Sequence, residues 1–184
     1  MHSKKRCSWC NRANPEYVKY HDEEWGRARF DEHHLYEMLI LESFQAGLSW
    51  ECVLNKRGAF RLAFDGFDID MVSTYGDGKM EELKANPDII RNRLKIKASV
   101  NNSRIFKAIS QEFGSFFNYL ISFAGEEVIY ETGRVTSELS DAISKDLKRR
   151  GMTFVGSTII YSYLEAIGII YSHEKDCFLY KDGG

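Results

Sequence analysis

Glu42 is a carboxylate in a place that ought to be apolar. Leu35, Met38, Leu39 and Glu42 stand at i, i+3, i+4 and i+7, which puts all four on one helical face. The run LESFQAGLSW that follows, residues 41–50, adds Gln45 and then Trp50. An ionised carboxylate is expensive to bury unless a group of matching polarity meets it. A glutamate on such a face raises the question of which group meets it.

The cysteines and histidines form a second candidate set. Cys7, Cys10 and His21 open the chain, and His173 and Cys177 close it. His173-x3-Cys177 sets two ligands one helical turn apart, a common half-site for Zn²⁺. Cys7 or Cys10, together with His21, can supply the other half. Four protein ligands close a coordination sphere, so such a zinc is structural, and it staples the two ends of the chain together. The H-x-E of His21-Asp22-Glu23 and the C-x-x-C of Cys7–Cys10 also imitate pieces of a zinc deaminase. Their order is reversed and their spacing too short, which excludes that reading.

Rings and bases complete the inventory. Trp9, Tyr17, Tyr20 and Trp25 fall within the first 25 residues, and Trp50 lies just past Glu42. They serve either as core or as walls of a cage for a π-faced or cationic ligand, each ring adding roughly 0.5–2 kcal/mol. Arg91, Arg93, Lys95 and Lys97 lie at a helix-turn-helix junction whose amides can also grip a phosphate. Lys145, Lys148, Arg149 and Arg150 crowd the end of another helix.

Positioning these groups falls mainly to helices. Asp31 is expected to cap a helix that runs through residues 41–50 and stops near Gly47, and Ser49 to cap the next. A loop at Asp65-Gly66 leads to short helical pieces at 68–75 and 79–85. A break at Pro87 precedes a long helix ending near Gly114, and Ser115 opens another. Helices over 138–150 and 157–167 end at Gly151 and Gly168. Strict apolar/polar alternation is scarce, so the expected fold is mainly α.

The bulk numbers agree. The chain has 184 residues, 43% of them apolar and 14% aromatic, with two prolines and a formal charge of −2. That suits one unit, or two helical lobes sharing one cleft, and it leaves any nucleic-acid binding to local patches. No apolar run approaches the ~20 residues of a membrane span, and the N-terminus lacks the apolar core of a signal peptide. The expected address is cytoplasmic, where cysteines are thiols or metal ligands.

Five separated motifs together resemble one family. They are C-x-W near the start, Y-x-x-Y-H-D-x-x-W-G at 17–26, L-E-S-x-x-A-G-L-S-W at 41–50, S-K-D-L-K-R-R-G at 144–151 and H-x-x-x-C at 173–177. In that order they are similar to DNA-3-methyladenine glycosylase I over essentially the whole chain. The resemblance implies a helix-hairpin-helix glycosylase fold, excision of 3-methyladenine from alkylated double-stranded DNA, and a structural zinc joining the termini. By motif position the zinc ligands are Cys7, His21, His173 and Cys177, with Cys10 spare. The chain departs from the pattern at Arg27-Ala28, where valine-proline is frequent, at Ile121, where tryptophan is expected, and at Leu94, where some relatives have glycine.

On this reading Glu42 becomes the polar floor of an aromatic pocket for a flipped base and the residue on which catalysis depends. Tyr20, Trp50, Tyr17, Trp25 and Trp9 would form the base-binding walls. Arg91, Arg93, Lys95 and Lys97 would contact the DNA backbone. Leu48, between Gly47 and Ser49, is either a wedge that fills the vacated stack or a core leucine. No aspartate occurs between residues 89 and 140, where many glycosylases of this fold place a catalytic one. A monofunctional, monomeric hydrolase follows. The competing class is a non-catalytic helix-hairpin-helix module that binds lesions without cutting.

Overall fold

The computed structural model describes residues 4–183 and is helical almost throughout. Its centre is α2 (Glu32–Gln45), which starts where Asp31 accepts a hydrogen bond from the His34 amide at 2.9 Å. Every residue from His34 to Phe44 is buried, so beyond its first turn α2 has no solvent face. α1 (Pro15–Glu23) precedes it, with Asn14 as cap and Pro15 in the first turn. The short helices α3 (Trp50–Leu54), α4 (Arg57–Ala63) and α5 (Ile69–Val72) follow, with a single 3₁₀ turn at Asp65–Phe67. Ser49 caps α3 as expected.

α6 (Asp77–Ala85) and α7 (Arg93–Phe113) are joined by residues 86–92 and form the hairpin. Asn92 caps α7 through the amides of Leu94 and Lys95, and Gly114 ends it with φ +83°. α8 (Phe116–Ala124) begins at Ser115, and its first amides donate to the Glu32 carboxylate, tying it to the start of α2. α9 (Glu138–Arg149) opens with a reciprocal Ser137/Ser140 capping box, and α10 (Ser157–Ala166) packs beside α2. The Tyr163 hydroxyl donates to the Leu35 carbonyl at 3.1 Å and fixes that contact.

The one sheet among the described residues has two parallel strands, β1 (Ile129–Tyr130) and β2 (Ile170–Tyr171), with Ile129 opposite Ile170. Its role is placement, since β2 delivers Ser172 and His173. The turn before it needs Gly168. A Cβ there would lie 2.4 Å from the backbone of Arg27 and Ala28, and φ is +80°. The mainly α expectation holds, and the elements it placed end within a few residues of those observed. α1 and α4 were not foreseen, although Asn14-Pro15 is a readable start signal. No helix among the described residues is long and apolar enough to cross a membrane.

Candidate active site and metal centre

A cavity of about 330 Å³ opens where α1, α2 and α10 meet. Trp9, Tyr17, Tyr20, Trp25 and Trp50 all line it, so the five rings act as cage walls as well as core. Tyr20 and Trp50 lie 5.3 Å apart between ring centres, and Trp9 stands edge-on to Trp25 at 4.8 Å. Burial pushes the Tyr17 phenol up to about 12 and the Tyr20 phenol well above its ordinary value. Both hydroxyls therefore stay neutral and can donate hydrogen bonds.

Glu42 is 2% exposed, and its Oε2 has no protein hydrogen-bond partner. Burial, and then the nearby Glu165 carboxylate, push its pKa well above the glutamate value. Gln45 Oε1 and Trp50 Nε1 also lack a protein partner, and both residues line the same cavity. Buried polar atoms are nearly always satisfied. Three of the six such atoms among the described residues lie around this one aromatic cavity, where an incoming ligand could supply their partners.

Sequence reasoning missed Gln45 and Glu165 as lining residues. Glu165 enters from α10, and burial holds its carboxyl at about 7 although the Ser172 hydroxyl opposes the shift. A carboxylate inside the apolar run of α10 was the available signal, the same kind that exposed Glu42.

Next to the cavity, Cys7, His21, His173 and Cys177 converge. Their four ligand atoms all lie within 4.8 Å of one another, and all four residues are buried. Cys7 Sγ is 3.4 Å from His173 Nδ1, and Cys177 Sγ is 3.5 Å from His21 Nε2 and 3.6 Å from His173 Nδ1. Tetrahedral S- and N-ligands of a zinc-sized ion sit about 3.5 Å apart. The donor set thus fits a metal. His21 Nδ1 meets Asp22 Oδ1 at 2.8 Å, and Asp22 is gripped at both oxygens by Arg6, which sets the orientation of the ring. Burial holds His173 down at about 4, the neutral form a ligand requires. Cys10 stands apart, its Sγ 3.8 Å from the Tyr17 carbonyl. Trp25 connects the two sites, lining the cavity while its ring meets His173 edge-on at 4.7 Å.

The expected DNA contacts divide. Arg91, Arg93 and Lys97 are exposed along the hairpin. Lys95 is not. Its ammonium turns inward, is buried, and donates to the carbonyls of Phe44, at 2.7 Å, and Ala46. Those carbonyls end α2, so Lys95 caps the negative end of that helix and anchors the turn that follows. It is corrected here from backbone contact to structural clamp. Leu48 rides on the anchored turn and is 43% exposed, which sets aside its reading as core. The second basic run is partly spent in ion pairs. Arg150 binds Asp146 and Glu112, and Arg149 binds Asp146.

Residues 9–180 match the family model described as methyladenine glycosylase. The chain is similar to DNA-3-methyladenine glycosylase 1 of Escherichia coli K12, 39% identical over 181 residues that cover 95% of this chain and 96% of that protein. A crystal structure of 3-methyladenine DNA glycosylase I superposes with a TM-score of 0.91 at 38% identity, covering 96% of this chain and 100% of the other. The Staphylococcus aureus 3-methyladenine DNA glycosylase I, whose structure addresses 3-methyladenine recognition, gives 0.89 at 32% identity over 94% of this chain and 95% of that one.

Proposed function

The chain belongs to the methyladenine glycosylase family, and from that premise we propose how this molecule works as a DNA-3-methyladenine glycosylase. The observation that carries the reading is the unpartnered, buried Glu42 carboxylate inside an aromatic cavity. 3-Methyladenine in DNA is cationic and has N–H donors at its exposed edge. Glu42 accepts from those donors, while Tyr20, Trp50 and the rings behind them stack on its faces and hydrogen-bond its rim. Neutral adenine gains much less from the carboxylate, which gives discrimination without a large pocket.

Excision then asks little of the protein. When the C1′–N9 bond breaks, its electron pair passes to the base and cancels the base's own positive charge. Water adds to C1′ and releases a proton. No strong general acid is needed, in keeping with the missing aspartate. A module that only grips backbone has no use for Glu42 among five rings, so the catalytic reading is favoured over the non-catalytic one.

To reach the cavity the base must leave the helix. Arg91, Arg93 and Lys97 supply backbone contacts. Leu48 fills the gap in the stack. Cys7, His21, His173 and Cys177 would hold Zn²⁺, for which two thiolates and two imidazoles are a common structural set. Bound there it would brace the wall that carries Trp25 and take no part in the reaction. We read the chain as a cytoplasmic monomer.

The direct test is base release from methylated duplex DNA by purified protein. Release of 3-methyladenine well above its spontaneous loss is expected. Tight binding of methylated DNA with no release above that background would move the reading to the non-catalytic class.

A further inference from the structure

We propose that Glu165 is a second reader of the base's positive charge, so that the pocket selects a cationic purine with two carboxylates from different helices. This rests on the glycosylase reading above and deepens it. The cavity wall carries three carboxylates, those of Glu42, Glu165 and Glu174, against one cation, Arg134. Glu174 is already taken, accepting from the Ser8 amide and hydroxyl at 2.7 and 2.6 Å. Arg134 is an exposed side chain whose guanidinium lies 3.5 Å from Glu131. Neither Glu42 nor Glu165 has a cation of its own in this wall.

Among the described residues, the other charged or titratable groups near Glu165 are acidic or neutral. Glu42 faces it from α2, Tyr20 from α1, Tyr161 from its own helix, and Glu131 from the segment after β1. Ser172, after β2, is the neighbour that favours its ionised form. The main chain at Glu165 is firmly held, because its carbonyl accepts from the Gly26 amide at 3.1 Å. A cationic base between two such carboxylates relieves their mutual repulsion, whereas a neutral base leaves it in place. The titration of Glu165 at about 7 gives this arrangement a readout near neutral pH.

The test is single-turnover release of 3-methyladenine from methylated duplex, comparing wild type with Glu165→Gln from about pH 6 to 8. N9 of the lesion is glycosylated, so its charge is fixed and the profile reports on the protein. Wild-type kcat/KM should rise with pH by up to about tenfold as Glu165 ionises, then level off. Glu165→Gln should lose the part of the rise centred near pH 7, with inhibition by neutral adenine unchanged. A wild type without that rise overturns the inference, whether or not the variant folds. So does a rise of undiminished size in Glu165→Gln, which would belong to Glu42 alone. An equal loss at every pH would mean that Glu165 only shapes the pocket, and also overturns it. A wild type that releases no base overturns the glycosylase reading and this inference with it.

Discussion

Two glutamates of α2, Glu37 and Glu42, are buried to the same 2% exposure, and only one has partners. Glu37 Oε1 accepts from Arg57 and Arg61 at 2.7 Å each, and Arg57 reaches on to Glu24 at 2.8 Å. Burial pushes the Glu37 carboxyl up, but the two guanidinium groups outweigh it and hold the group below its ordinary value. Glu42, less than two turns along, has aromatic rings and another carboxylate instead, and its pKa moves the opposite way. The same residue type at the same depth is held by two guanidinium groups in one place and left without a cation in the other. A built-in cation at Glu42 would compete with the cationic base proposed above.

The largest effect is expected at the satisfied end of this comparison. Glu37→Gln leaves the buried Arg57 with Glu24 as its one carboxylate partner and should cost about 3–5 kcal/mol of unfolding free energy in urea titrations. A loss below about 1 kcal/mol would erase the contrast. Because the folded pKa of Glu37 is depressed, its contribution is fully present above the unfolded value near 4.5 and is lost as pH falls through the lower folded value.

The metal cluster resembles Glu37 in depending on its partners. Cys7→Ser or Cys177→Ser should cost about 2–4 kcal/mol and lower the bound metal found by elemental analysis. Cys10→Ser and Cys52→Ser should cost no more than about 1 kcal/mol and keep the metal. Equal losses for all four, or no metal in chelator-free protein, would remove the cluster from the account.

Leu48 should behave like Glu42, as a group kept for the ligand. Leu48→Ala is expected to change stability by less than about 0.5 kcal/mol while slowing base release from duplex DNA. A cost of about 2–5 kcal/mol would show that it packs in the core after all.

The sequence displayed Glu42 because one carboxylate interrupted a helical apolar face. Glu37 and Glu165 interrupt similar runs, and their roles stayed hidden because the groups that distinguish them come from elsewhere, Arg57 and Arg61 from α4 and Ser172 and Glu131 from the segments after the two strands. Spacing left Cys7 and Cys10 as equals. The fold separates them, placing Cys7 beside His21 and His173 and turning Cys10 toward a carbonyl. Lys95 was concealed by the charged run around it, yet it shares a helical face with Ser99, Asn102 and Phe106, all buried. Cap signals at Asp31, Ser49 and Ser115 are local and were legible, whereas the Lys95 clamp joins residues about fifty positions apart.

Glu42→Gln tests most directly whether Glu42 is kept unpartnered to read a cationic base, with stability and affinity measured on the same protein. Glutamine keeps one acceptor but loses the charge and presents a donor to the base's own donors. Apparent affinity for 3-methyladenine in methylated duplex, where the base is cationic, should fall about ten- to a hundredfold, the worth of a charge-assisted hydrogen bond. The folded pKa of Glu42 is raised, so the wild type loses stability as pH rises above the unfolded value near 4.5. The variant should therefore match the wild type in acid and equal or exceed its thermal midpoint at neutral pH. A lower midpoint with unchanged affinity would contradict the account and make Glu42 a second Glu37.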